Sequence, residues 1–349
     1  MASAFWPTRL IARRRARDLF DIVAGFAYSQ TLFACVQLGL FALLRDGPLA
    51  HEALCDAMEL DDDAARALLD AAVALKLLER TAPREYGLGV LGAAVVDDEG
   101  IDGMVRHHAY FYRDMADPVA LLKERGGNTA LSSYWPYAHS DDGSGMDADI
   151  VARYTALMSA SQPMVCAQVH AAYRLARHRH LLDVGGGNGA FLISVARRAP
   201  GLKLSLFDME PVTRLARENL QAAGLLEKVS VCAGDFSVTP FPEGADVISL
   251  VRVLHDHDDD VVATLLAKVR ASLPPGGTVL IAEPLAETAG APRMGSVYFA
   301  FYLRAMGSGR PRRFDELRDL LHRAGFVAVQ QKKTPIPMLA SVVHARVPD

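Results

Sequence analysis

Four of the five residues 185–189 are glycines, inside the run LLDVGGGNGAF at 181–191. Glycine takes positive φ and lets a ligand lie against the main chain. A helix starting directly behind such a turn offers unpaired N–H groups. The stretch therefore reads as buried strand, cofactor-cradling turn and helix start. Gly185, Gly187 and Ala190 fit G-x-G-x-x-A, a pattern shared with dinucleotide-binding proteins. Asp208 ends the run LFD, 23 residues after Gly185, where a carboxylate can take both hydroxyls of a ribose. That arrangement serves NAD and S-adenosylmethionine equally. Asp235 and Phe236 suit an adenine, one accepting its amine and the other covering its ring. His255 follows VRVL; an imidazole with a reference pKa near ~6.5 can be neutral and basic at pH 7.

The elements that must position these residues form an alternating series. Strands are expected at 180–185, 203–208, 228–234, 245–253 and 278–283, with helices at 189–199, 211–223 and 259–273. This is a doubly wound parallel sheet, whose ligands sit at the carboxyl ends of its strands. Helices near 294–306 and 313–324 and strands at 326–333 and 340–347 close the chain. A terminal hairpin-like pair added to a parallel sheet is the shape of a class I methyltransferase. Upstream, helices are expected at 10–45, 51–58 and 61–80, with a short wing strand at 86–88. Helix, helix, helix, wing is a winged-helix pattern. It lacks a basic recognition helix, so packing and dimerisation are its expected use. A helix at 104–125, a polar glycine-rich loop at 126–145 containing Trp135 and Tyr137, and a long helix from 147 to 176 follow.

With 349 residues the chain can hold two domains, expected at 1–165 and 166–349. Its 51% apolar content makes it globular, and a net charge of −4 argues against general nucleic-acid binding. Cys35, Cys55, Cys166 and Cys232 form no CxxC pair, which fits reduced thiols in a cytoplasmic protein. Arg9, Arg13, Arg14, Arg15 and Arg17 precede an uncharged stretch at 22–44, long enough to cross a bilayer. Ser29, Gln30, Thr31 and Gln37 interrupt that stretch, and Gly25 and Gly39 weaken it as a helix. A buried or dimer-interface helix pair is the preferred reading. The arginines could touch an anionic membrane surface, although a solvated helix face is the commoner use.

Taken in order, LLDVGGGNGAF, LFDMEPV, AGDF, VRVLHDHDDD, AEPL and RAGF resemble the S-adenosylmethionine-dependent O-methyltransferases of the plant and bacterial small-molecule type. LGLFALL at 38–44 is similar to that family's dimerisation domain, so the resemblance covers the whole chain. The head segment and AMGSGRPR at 305–312 look like the bacterial hydroxycarotenoid branch. The resemblance implies a class I methyltransferase sheet behind a helical, winged-helix-like dimerisation domain, a homodimer, and S-adenosylmethionine as cofactor. It implies His255 as general base and Glu283 as the acid that orients it. It adds Asp183, Met209 and Arg252 to Gly185, Gly187, Asp208, Asp235 and Phe236 as cofactor-binding residues. Tyr154 and Met158 match the family's acceptor positions. Phe299, Tyr302 and Met306 share a helix face and would complete an apolar pocket, though either set could equally be core. A place beside the inner, photosynthetic membrane would suit such an acceptor.

Two positions depart from the family pattern. His257 stands where a tryptophan is usual, and Pro311 where the plant enzymes carry a second carboxylate. A missing acid fits an alcohol acceptor better than a phenol. No metal is expected: in the run 255–260 the histidines two apart point to opposite sides if extended, and Asp258, Asp259 and Asp260 suit the start of the next helix. The competing readings are a phenolic or polyketide O-methyltransferase, an NAD-dependent dehydrogenase, and a ligand-sensing winged-helix regulator without catalysis.

Overall fold

In a computed structural model, described at residues 6–96, 98–124, 128–134 and 148–349, the chain divides by its contacts into two units, Met1–His108 and Ala109–Asp349. Trp135 and Tyr137 lie outside the described residues.

The first unit opens on the helix Trp6–Gln37. The expected helix at 10–45 breaks at Gly39, whose φ of 68° leaves the helical region, and only Leu40–Leu43 continues. His51–Met58 and Asp62–Ala74 follow, the latter capped by Asp61, which accepts the Ala64 N–H at 2.8 Å. The helix expected to run to residue 80 stops at Ala74. Lys76 turns the chain with φ 59°, and Leu78–Ala82 joins a small sheet instead. That sheet, β1 (Leu49–Ala50), β2 (Leu78–Ala82) and β3 (Glu85–Leu88), has the order β1-β3-β2 and supplies the wing. Strand pairing overrides the helical spacing of the leucines here, a case of tertiary context outweighing local propensity.

Leu40, Leu44, Leu54, Leu69, Ala72, Leu78 and Tyr86 make the core of this unit. The long first helix joins this core only at its end, through Cys35 and Val36, while Leu19, Phe20, Ile22, Val23 and Phe26 are exposed. Its stretch Ile11–Gln37 is long and apolar enough to cross a membrane by length and composition alone.

The helix Glu99–Asp114 spans the division between the units. It ends well before the expected residue 125, because Pro118 starts a separate helix, Pro118–Lys123, capped by Asp117. A short helix, Ala130–Tyr134, occupies part of the expected loop. Ala148–Ala172 is the long helix, with Pro163 inside it. These residues belong with the second unit, so the contact boundary falls at 108/109 and not at 165/166. The physical reason is direct packing: Phe111 meets Tyr302 edge-on at 5.6 Å, and Arg252 reaches Ser161 at 2.8 Å.

The second unit is built on seven strands: β4 (His180–Val184), β5 (Lys203–Asp208), β6 (Val229–Ala233), β7 (Val247–Val251), β8 (Thr278–Glu283), β9 (Val327–Lys332) and β10 (Ser341–Arg346). Their order is β6-β5-β4-β7-β8-β10-β9, parallel except for β10, which runs antiparallel to both neighbours. β4, β7 and β8 are buried along their whole length, as near-continuous apolar runs require. One core layer gathers Val262, Leu265, Leu266, Leu317 and Leu321 against the sheet; another gathers Val169, Phe191, Leu192 and Leu220. This is the class I methyltransferase architecture expected from the sequence. Strand order reverses beside β4, so the carboxyl ends of β4, β5, β7 and β8 surround the crevice where ligands of such sheets bind.

Candidate active site

β4 delivers the chain to the glycine loop. Gly185 and Gly187 take φ of 69° and 57°, which an L side chain rarely adopts. At Gly187 the space a Cβ would enter is open for 4 Å around, so the loop's backbone faces open space there and not a neighbour. Asp208, at the end of β5, fixes this loop. Its Oδ2 accepts the Gly187 N–H at 2.8 Å and its Oδ1 the Met209 N–H at 2.7 Å. Burial pushes its carboxyl up to about 6, against the pull of those two N–H groups. Asp183 lies deeper, accepting the Ser249 hydroxyl at 2.5 Å, and burial pushes it up to about 7.

Asp235 caps its own turn, accepting from the Ser237 N–H and hydroxyl at 2.7 Å each. Phe236 meets the His257 ring edge-on, 5.1 Å between centroids. The position where an indole was expected thus still supplies an aromatic wall. Arg252 holds the strained φ of 59° at the end of β7. Its guanidinium donates to Ser161 Oγ at 2.8 Å and contacts Met158 Sδ at 2.7 Å. The sequence assigned Arg252 to the cofactor and Met158 to the acceptor; the structure joins them in one contact. Of Tyr154, on the same helix, the side chain lies outside what the structure describes.

His255 sits in the turn Leu254–Asp256 beyond β7, 5% exposed. Its Nε2 lies 3.1 Å from Asp256 Oδ1, and its Nδ1 3.8 Å from Glu283 Oε2. Glu283 Oε2 instead accepts the His255 backbone N–H at 3.1 Å, so this acid orients the turn more directly than the ring. Sequence reading missed Asp256, the carboxylate nearest the imidazole. Burial works to lower the His255 pKa, but Asp256 and then Glu283 outweigh it, and His255 ends above its ordinary value. Burial raises Glu283, with the His255 and Arg312 charges partly opposing it. Among the described residues, His255 Nδ1 and Glu283 Oε1 are buried with no hydrogen-bond partner. Such atoms mark a polar centre left open to a reacting group.

Phe299 covers one side of His255, ring centroids 5.9 Å apart. It ends the π-helical turn Met294–Phe299, an irregularity common at functional sites. Tyr298, missed in the sequence, stacks on Tyr302 at 5.6 Å and meets Phe111 edge-on at 6.0 Å. With Pro292, Arg293, Met294 and Met338 it lines an open, mostly apolar pocket of about 460 Å³, whose lining includes neither His255 nor Phe299. Met306 is 2% exposed among Leu121, Leu131 and Leu303, and packs as core.

The donor set suits an adenosine cofactor: an open glycine backbone, a ribose-height carboxylate and an acid beside an aromatic, on adjacent strand ends. The comparisons agree. The O-methyltransferase domain model matches residues 112–327, and the O-methyltransferase dimerisation domain model residues 20–98. Demethylspheroidene O-methyltransferase of Cereibacter sphaeroides is 42% identical over 339 residues, 97% of this chain and 88% of that one. The protein of the same name from Rhodobacter capsulatus is 41% identical, over 96% of this chain and 83% of the other. Human N-acetylserotonin methyltransferase, solved with S-adenosylmethionine, superposes with a TM-score of 0.80 at 27% identity, covering 100% of both chains.

Proposed function

The chain belongs to the S-adenosylmethionine-dependent O-methyltransferase family, and from that premise we propose that it methylates a hydroxyl of a hydroxycarotenoid, with His255 as general base. The observation that carries the basic role is the buried imidazole between two carboxylates, at 3.1 and 3.8 Å. The names of the two bacterial relatives support the acceptor class, as do the cavity at Met294, Tyr298 and Met338 and the aromatic wall of Phe299 and Tyr302. Apolar, methionine-lined surface accommodates a long hydrocarbon without demanding hydrogen bonds.

When bound, the cofactor supplies a sulfonium methyl, an electrophile that needs no further activation. The protein's tasks are placement and proton transfer. Gly185, Gly187, Asp208 and Met209 would hold the ribose end, and Asp235 and Phe236 the adenine. The acceptor hydroxyl loses its proton to the His255 imidazole. The imidazolium then has Nε2 directed at Asp256 Oδ1 and Nδ1 near Glu283 Oε2. An alcohol is a weaker acid than a phenol, so its proton leaves as the new C–O bond forms, and the base need only stand ready.

The test is an acceptor panel. With labelled S-adenosylmethionine, hydroxycarotenoids are expected to carry label and simple phenols little. Label on phenols alone would transfer the reading to the phenolic branch. Binding of NADH without S-adenosylmethionine would reject both.

The dimerisation domain supports a homodimer, whose second copy would cover the exposed Phe20, Ile22, Val23 and Phe26. A peripheral membrane contact through the exposed Arg13, Arg14, Arg15 and Arg17 fits an apolar acceptor dissolved in lipid. The protein is expected to sediment with vesicles containing anionic lipid, and a variant with these four arginines changed to glutamine to remain in solution. Equal behaviour of the two proteins would remove the membrane contact.

A further inference from the structure

The turn carrying His255 is held from outside by a strap, residues 308–312. Every backbone carbonyl of residues 254–257 takes a donor from it. Leu254 O accepts Arg312 Nη1 at 2.7 Å, His255 O the Arg310 backbone N–H at 2.9 Å, Asp256 O the Ser308 hydroxyl at 2.8 Å and His257 O Arg312 Nη2 at 2.8 Å. Asp258 Oδ1 accepts the Gly309 N–H at 3.0 Å. Asp259 Oδ1 accepts Arg312 Nε and Nη2, at 2.9 and 2.7 Å.

Arg312 is the centre of this arrangement. Its side chain is 0% exposed, the largest among the fully buried residues. A buried guanidinium is costly unless its donors are met. Here they are met by the two carbonyls that bracket the turn and by one carboxylate. The planar fork suits several acceptors fixed at once, which an ammonium cannot match. The strap also approaches closely: a Cβ at Gly309 would fall 2.0 Å from His255 O, so only glycine lets it lie against the turn. Pro311 limits the conformations of its own residue and the preceding one, stiffening the approach.

We propose that Arg312 is a positioning residue for methyl transfer, fixing the His255 turn by gripping the carbonyls on either side of it. Its guanidinium donates to the backbone carbonyls and to Asp259, not to the imidazole. Its effect passes through the place His255 occupies, and the proposal rests on His255 being the base. Misplacement of a reacting group by about 1 Å can cost on the order of 10²-fold in rate.

Arg312→Met is therefore expected to lower kcat by roughly 10²-fold with the dissociation constant for S-adenosylmethionine little changed, and to lower the melting temperature, because the Leu254 and His257 carbonyls lose their donor. Arg312→Lys should recover part of the loss, retaining one contact of several. In a His255→Ala background, Arg312→Met should add no further loss, since there is no base left to place. Wild-type kcat in Arg312→Met, loss that multiplies with that of His255→Ala, or cofactor affinity falling in step with kcat would each overturn the proposal. Should the methionine variant not fold, Arg312→Lys decides, and wild-type kcat there is equally fatal. The underlying reading fails separately: His255→Ala with normal turnover removes the base, whereas an inactive His255→Ala beside a normal Arg312→Met removes only the strap.

Discussion

Replacing His255 by alanine is expected to lower turnover on the order of 10³-fold while cofactor affinity stays nearly intact. The asymmetry follows from geometry. His255 meets Asp256, Glu283 and Phe299, whereas the glycine loop is fixed by Asp208, and the proposed adenine residues Asp235 and Phe236 lie on another strand end. Single-turnover rates with labelled cofactor, beside its titration by calorimetry, separate the two quantities. Near-wild-type turnover would reject the base. A pH profile sharpens the test. The base works only when neutral, so kcat/KM should fall as pH drops through its pKa, which burial lowers but Asp256 and Glu283 together lift above the ordinary histidine value. Asp256→Asn removes the larger of the two lifting charges, and the acidic limb should move to lower pH. A limb that stays in place would show that another group governs it.

Asp208→Ala is expected to weaken S-adenosylmethionine binding by roughly 2–4 kcal/mol, on the order of 10²-fold in dissociation constant. Two effects act together: the ribose hydroxyls lose a charged acceptor, and the Gly187 and Met209 N–H groups lose the partner that holds the loop. The wild type should show a second signature. Burial has raised this carboxyl from 3.8 to about 6, so cofactor affinity should decline as pH falls through about 6, where protonation removes the charge. Calorimetric titrations across that range should find the decline in the wild type and not in the variant. An unchanged dissociation constant in Asp208→Ala would refute the ribose role.

The centre of the parallel sheet was legible because β4, β7 and β8 are buried along their whole length and read as apolar runs. The glycine turn and Asp208 were legible for a related reason: a glycine cluster and a strand-end acid carry a signal in one dimension, and the fold joins them at 2.8 Å. What the sequence concealed depends on contacts between distant segments. The leucines at 75 and 78 keep helical spacing, yet Leu78 is drawn into the wing by pairing with Leu88. Asp256 carries no spacing signal of its own beside the helix-starting acids at 258–260, and only the folded turn brings it to the imidazole. Arg312 lies 53 residues from its Asp259 partner, a separation at which local spacing carries no signal. Met306 shares a face with Phe299, but the helix turns its end into the core.

β10 lies between β8 and β9, pairing Ser341 with Glu283 and Val342 with Ala282. The strand that bears the orienting acid thus finds its neighbour almost sixty residues later, near the end of the chain. During synthesis, β4, β5 and β7 can associate while that neighbour is still unmade, and β8 must wait with an unpaired edge. An open edge of buried, apolar strand is a template for other chains. The order of emergence from the ribosome therefore leaves the Glu283 edge of β8 open until β10 has been made.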